Sequence, residues 1–186
     1  MEIADKDYLE RVERHNNVQV ICIYRVLKTF ALLLAGDDEQ ADTMSEATQP
    51  LIYTVGTQGL LPWAEHLFVR LLIVTTRYHQ ASRQQQSAWR AEVTDAMARL
   101  QIWSENCPDN FEHKYLLVQA ELAWIDAQPA RALHCYQAAI RAARQGGFVQ
   151  WQGFANERMY RFCLERGLDR LAQVCWQQAY SCYDQW

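Results

Sequence analysis

His113, His134, Cys135 and Cys107 are the side chains of this chain best suited to chemistry, and together they are its nearest approach to a metal-ligand group. Zinc sites draw on imidazole and thiolate ligands, usually paired at short fixed spacings, and no such pairing occurs here. His134 and Cys135 are neighbours in a helical pattern, so they diverge by roughly 100° and do not converge on one ion. As a nucleophile, Cys107 needs a basic partner in an exposed, electropositive pocket. His113 and Lys114 are close in sequence, but a helix end intervenes. Gly146-Gly147 lacks the lysine and hydroxyl residue of a phosphate-binding loop and precedes a helix without following a strand, which reads as a helix C-terminus. Carboxylates gather at Asp5, Asp7 and Glu10 and again at Asp37-Asp38-Glu39. These read as a charged first helix and an acidic helix start, where negative charge suits the dipole. No catalytic, cofactor-binding or metal residue is therefore assigned, no cofactor is expected, and the chain is read as non-enzymatic.

The remaining reactive groups fit a packed interior. Cys22, Cys135, Cys163, Cys175 and Cys182 sit inside helical patterns and no CxxC pair occurs, so all the cysteines are expected as free thiols that pack as small hydrophobes. Trp151, Phe154, Tyr160, Phe162, Trp176, Tyr180, Tyr183 and Trp186 crowd the last two helices, most of them expected between helices. A helix stack normally ends in a polar cap, and the chain instead stops at Asp184-Gln185-Trp186; the expectation is a piece cut from a longer protein, the alternative a last helix that docks on something.

The elements that position these residues are helices throughout. Val20, Ile23, Leu27, Phe30 and Leu34 recur at threes and fours before Gly36, predicting a helix with that face inward. A weaker helix follows over about 38–53, then the loop Val55-Gly56-Thr57-Gln58-Gly59. Pro62 opens a helix with the face Ala64, Leu67, Phe68, Leu71, Leu72, Thr75, Tyr78. The cleanest stripe is Trp89, Val93, Ala96, Leu100, Trp103, Cys107, ended by Pro108. Asp109 and Glu112 form a capping pattern ahead of the face Phe111, Tyr115, Val118, Leu122, Ile125. Pro129 starts the next helix, which runs to Gly146-Gly147, and 148–166 and 168–186 complete the last pair.

Three turns share one spacing: Gly36 to Ala41, Ala127 to Ala132 and Gly167 to Ala172, each with a small residue at a helix end and an alanine five positions on. Ala132, Tyr136 and Ala139 stand forty residues before Ala172, Trp176 and Ala179, and Leu122 stands forty before Phe162. Such a period predicts stacked helix pairs. The expected fold is all-α, a tetratricopeptide-like solenoid of about four antiparallel hairpins (about 16–54, 61–106, 109–145 and 148–186) in a single helical-repeat domain, with a short N-terminal helix over 2–14.

Charge narrows the partners. The net charge is −4, with ten acids against five bases in residues 1–60 and near balance thereafter, so no basic stripe points to nucleic acid. Gln19, Arg25 and Lys28 interrupt the most apolar run, which excludes a membrane span there. With an acidic N-terminus that is no signal peptide, a cytoplasmic location is expected.

The segment Trp103-Ser104-Glu105-Asn106-Cys107-Pro108-Asp109-Asn110-Phe111-Glu112-His113-Lys114-Tyr115 resembles the W-A-x-N-C-P-x-N-F-x-H-K stretch of large bacterial hybrid signalling kinases. The resemblance continues through residues 136–140, 147–148, 155–157 and 179–186, and Leu33 to Ala41 is similar to that family's L-x-G-D-x-x-x-A turn. Departures fall at Trp151-Gln152-Gly153-Phe154 and at Arg158-Met159, which replaces a more apolar pair. The resemblance implies a tetratricopeptide-like region between an AAA-type ATPase module and GAF and histidine-kinase domains, often behind a serine/threonine-kinase-like domain. It therefore implies a non-catalytic scaffold or relay whose partners are neighbouring domains or a separate protein. The alternative is a free-standing adaptor gripping a peptide in a concave groove. The residues that touch a partner are left unassigned.

Overall fold

The computed structural model describes Arg14, residues 17–54 and residues 60–186. The expected helix 2–14, with Asp5, Asp7 and Glu10, and the expected loop 55–59 lie outside the described residues. Within them the chain is all-α, with no strand: α1 Val18–Leu34, α2 Asp38–Thr54, α3 Leu61–Arg77, a 3₁₀ turn Tyr78–Gln80, α4 Arg83–Asn106, α5 Pro108–Ile125, α6 Pro129–Gln145, α7 Val149–Glu165 and α8 Asp169–Gln185. The chain divides into two compact units, Met1–Val74 and Thr75–Trp186.

In the first unit α1 packs on α2. A small core joins Cys22 and Val26 to Ile52, with Leu51 and Trp63 against it. The face that α1 buries is not the expected one. Cys22, Val26, Thr29 and Leu33 point inward, while Ile23 and Leu27 are exposed. The helix is apolar on most of its circumference, so its periodicity leaves the phase open by one position. Thr29 can lie inside because its hydroxyl donates to the Arg25 carbonyl at 2.7 Å. In α3 every residue from Phe68 to Val74 is buried. Among them, Arg70 forms a buried ion pair with Asp42 of α2.

In the second unit each helix from α5 onward packs on the one before it, and α5 also touches α7. Ser82 and Gln85 form a reciprocal capping box that starts α4. The stripe of α4 is buried at Trp89, Val93 and Leu100. Asp109 is not the cap expected for α5. Cys107 holds that position in a non-helical conformation (φ −144°, ψ 68°) and Pro108 is the first helical residue. A proline favours an extended predecessor and is itself preset for the first turn, so it starts the helix earlier than the acidic pattern suggested. α5 buries a different face from the expected one: His113, Lys114, Leu117, Ala120 and Glu121 are buried, and of the expected face Val118 is buried while Phe111, Tyr115, Leu122 and Ile125 are half-buried.

The repeated turns share one geometry. Gly36, Ala127, Gly147 and Gly167 all have positive φ, between 53° and 75°. In each, the following amide closes back on the carbonyl five residues earlier, as with Asp37 to Leu32 (3.0 Å), Gln128 to Ala123 (2.8 Å), Phe148 to Ala143 (2.9 Å) and Leu168 to Cys163 (2.9 Å). This Schellman closure satisfies carbonyls at the end of one helix, and its last residue is also the first cap of the next helix. One turn later Ala41, Ala132 and Ala172 are buried. The absence of a longer side chain there lets the two helices of a pair approach closely. The fourth turn, at Gly147, carries Gln152 at the matching place.

Ala127 is the one residue other than glycine with positive φ among those described. Left-handed backbone is unfavourable for an L-residue with a Cβ, so Ala127→Gly should stabilise the chain by about 0.5–1 kcal/mol. Gly167→Ala should destabilise it by a similar amount, since a Cβ there meets no heavy atom within 4 Å and only the backbone term acts. Urea denaturation with an unchanged m-value measures both, and a loss of stability in Ala127→Gly contradicts the account.

Candidate functional site

The most organised polar cluster of the second unit lies between α5, α6 and α7. Glu121 is 1% exposed. Its carboxylate accepts from Tyr136 Oη at 2.6 Å and from Arg158 Nε and Nη2 at 2.9 and 2.7 Å. The guanidinium of Arg158 also faces the Trp124 ring, 5.4 Å from its centroid. Phe162 closes the group, 5.6 Å from Trp124 and 5.8 Å from Tyr136. Burial, then the neighbouring carboxylate, pushes the Tyr136 hydroxyl well above its ordinary range, so it remains a donor. A paired, hydrogen-bonded carboxylate and guanidinium can remain charged in such an interior. Both oxygens of Glu121 are engaged, and the arrangement ties three helices together without presenting a group to a substrate. Arg158, a departure from the signalling-kinase pattern in sequence, is half of this pair.

A second cluster joins α5 to the start of α7. His113 stacks on Phe148 with centroids 4.3 Å apart. Lys114 is buried with its ammonium 5.7 Å from the Phe111 ring and 6.0 Å from that of Trp151. Burial, and secondarily the charge of Lys114, lowers His113 to about 3, so the imidazole is neutral at ordinary pH. The segment that resembles signalling kinases thus contributes to the interior of the unit.

The other candidates are dispersed. His134 is exposed on α6 and Cys135 is buried beside it. Cys107 is half-buried, and its sulfur accepts from Asn110 Nδ2 at 3.1 Å. Among the described residues, no three His, Cys, Asp or Glu side chains gather as a metal site needs. The six cysteines are free thiols. Burial raises those of Cys135, Cys163 and Cys182, and takes Cys175 to about 11, which disfavours the nucleophilic thiolate. Gly146 and Gly147 belong to the α6–α7 turn. Asp37 caps α2, accepting from the Gln40 amide at 3.2 Å, and Asp38 and Glu39 fill its first turn.

A cleft of about 360 Å³ lies between α4, α5 and the start of α6. Val93, Met97 and Leu122 form its apolar lining, and Arg90, Asp126, Arg131, Tyr115, Gln119 and Gln101 its polar one. Some of these polar groups pair within the cleft, while Arg131 donates to Gln128 and Gln101 to Glu105 outside it. Arg90 pairs with Asp126 at 2.5 Å and donates to Tyr78 Oη at 3.0 Å. Gln119 donates to Tyr115 Oη at 2.8 Å. Periodicity singled out Val93, Tyr115, Leu122, Tyr136 and Phe162 but not the Glu121–Arg158 pair, whose members stand 37 residues apart and meet only when α5 and α7 touch.

Two outcomes follow. Glu121→Leu leaves a buried guanidinium without its counter-charge and should destabilise the chain by about 3–5 kcal/mol, whereas Glu121→Leu with Arg158→Met should recover much of that. Strictly additive losses in denaturation contradict a coupled pair. His113, held neutral in the fold, gains a proton on unfolding as pH drops below about 6.5. Its contribution is thus complete above that pH and declines down to about 3, by up to about 1.4 kcal/mol per pH unit. His113→Phe, which keeps the stack on Phe148, should flatten that acid limb, and an unaltered limb refutes the assignment.

A family model described as CHK1-like, TPR repeats matches residues 2–157. No curated protein and no solved structure matches the chain. The matched stretch runs from before α1 to the middle of α7 and takes in the Glu121 and Tyr136 positions, the α4–α5 junction and the Schellman turns at Gly36, Ala127 and Gly147. With most of its length matched and an all-α succession of packed helices in the described residues, this tetratricopeptide-like chain belongs to the family of CHK1-like TPR repeats.

Proposed function

We propose that the chain is a non-catalytic scaffold and relay module of a bacterial signal-transduction ATPase/kinase protein, cytoplasmic, and making contacts with neighbouring domains or with another protein. In this reading its helices pair as hairpins over about 16–54, 61–106, 109–145 and 148–186 of a longer polypeptide. The observation that carries the reading is the use of Glu121, Arg158 and Tyr136 purely in helix-to-helix contact. A stack pinned in this way moves as a body, and coupling between flanking domains travels through such packed elements. The resemblance of Trp103–Tyr115 to signalling kinases supplies the context. TPR-type repeats are interaction modules, and a family of them supports a protein partner over a small-molecule substrate.

The cleft lined by Met97, Leu122 and Arg131 favours a second reading, an adaptor that holds a peptide. The two separate in a reconstitution. If the chain is a relay, adding it to the flanking ATPase and kinase domains should produce binding by calorimetry and alter their ATP turnover or autophosphorylation several-fold. Binding of an unlinked peptide, with the domains' rates unchanged, supports the adaptor. Neither binding nor any change in rate defeats both readings.

A further inference from the structure

The forty-residue repeat relates positions of α6 to positions of α8. Ala132, Cys135 and Ala139 correspond to Ala172, Cys175 and Ala179, and all are buried. The adjoining stripe does not match. On α6, Tyr136 is fully buried, and Leu133 and Ile140 are half-buried beside it. Their counterparts on α8, Gln173, Trp176 and Tyr180, are exposed, with Trp176 at 53% and Tyr180 at 66%. The cause lies in the neighbour. α7 lies on α6 and brings the Phe162 ring to 5.8 Å from Tyr136. Trp176 has the Tyr160 ring at 5.3 Å on one side, and half of its surface remains open.

Spacings of three and four put Gln173, Trp176 and Tyr180 on one face of α8. Tryptophan and tyrosine offer large contact areas with few rotatable bonds, the character of binding anchors. The electrostatics beside the stripe are also changed from those of the covered interface. Forty residues after Glu121, which receives Arg158, stands Arg161, exposed on α7 and paired at 2.8 Å with Glu157 one turn back on its own helix, and forty after Asp126 stands Arg166.

We propose that this stripe is a docking face for an amphipathic α-helix of a separate partner protein, one that lies on α8 as α7 lies on α6. The interface being continued specifies the occupant. It carries an aromatic residue in the place of Phe162 to cover Trp176, and one turn earlier an acidic residue, where α7 has Arg158, to meet Arg161. The inference rests on the interaction role of the repeat and not on the signalling context, so it can fail while the relay reading stands.

The probe is a fluorescent, helix-stapled peptide of residues 149–165, prepared as the native sequence and with Arg158→Glu. Fluorescence anisotropy with the full chain should show saturable binding of the Arg158→Glu peptide, about tenfold tighter than the native peptide, with the gap narrowing as salt rises. Trp176→Ala in the full chain should weaken binding about tenfold or more. Val174→Ala, whose counterpart His134 is also exposed, should leave it unchanged. Circular dichroism checks that the variants fold. Equal or tighter binding of the native peptide, or no loss in Trp176→Ala, overturns the proposal. Sedimentation showing self-association that Trp176→Ala abolishes overturns it too, since the occupant is then a second copy.

Discussion

A carboxylate taken out of water must be compensated where it sits, and Glu121 is the group for which this chain meets that requirement most fully. The three hydrogen bonds it receives come from α6 and α7, so the partners can be in place only when both helices pack on α5 in one register. Apolar contacts alone tolerate sliding. A buried charge with directional bonds makes displaced arrangements unfavourable, and in that way the ion pair selects one packing even where a hydrophobic replacement could be equally stable. Trp124 and Phe162 meet edge to face beside it.

The backbone contributes a complementary constraint. A Schellman turn leaves little freedom in how the next helix departs, because the closing amide belongs to the residue that caps that helix. The same backbone closure recurs at the helix junctions marked by Gly36, Ala127, Gly147 and Gly167. The buried alanine one turn later sets their separation. Turn and alanine fix how each pair meets, and the Glu121 cluster then locks one pair to the next.

Much of this was legible in the residues. Glycine and alanine at fixed offsets announced the turns at Gly36, Ala127 and Gly167, since left-handed backbone and close approach both demand small residues. The all-α class followed from period and from the scarcity of breaking residues. Where a helix was apolar nearly all round, as in α1, the pattern could not say which face turns inward, and the choice fell on Cys22 and Val26 instead of Ile23 and Leu27. The cluster around Glu121 was illegible for another reason. A glutamate mid-helix looks like any solvated charge until a cation 37 residues away is brought to it.

Trp176 draws the same line most clearly. Its equivalence to Tyr136 is a property of sequence, determined by spacing alone. Whether such a residue is buried depends on what lies across from it: α7 encloses Tyr136, while half of Trp176 remains open. The sequence by itself determined the helices, the geometry of their turns and the repeat that relates them, because these arise from local backbone preference and periodicity. The tertiary structure alone decided which faces are covered, which charges are paired and which aromatics stay exposed, because burial and charge pairing depend on neighbours that only the folded chain brings together.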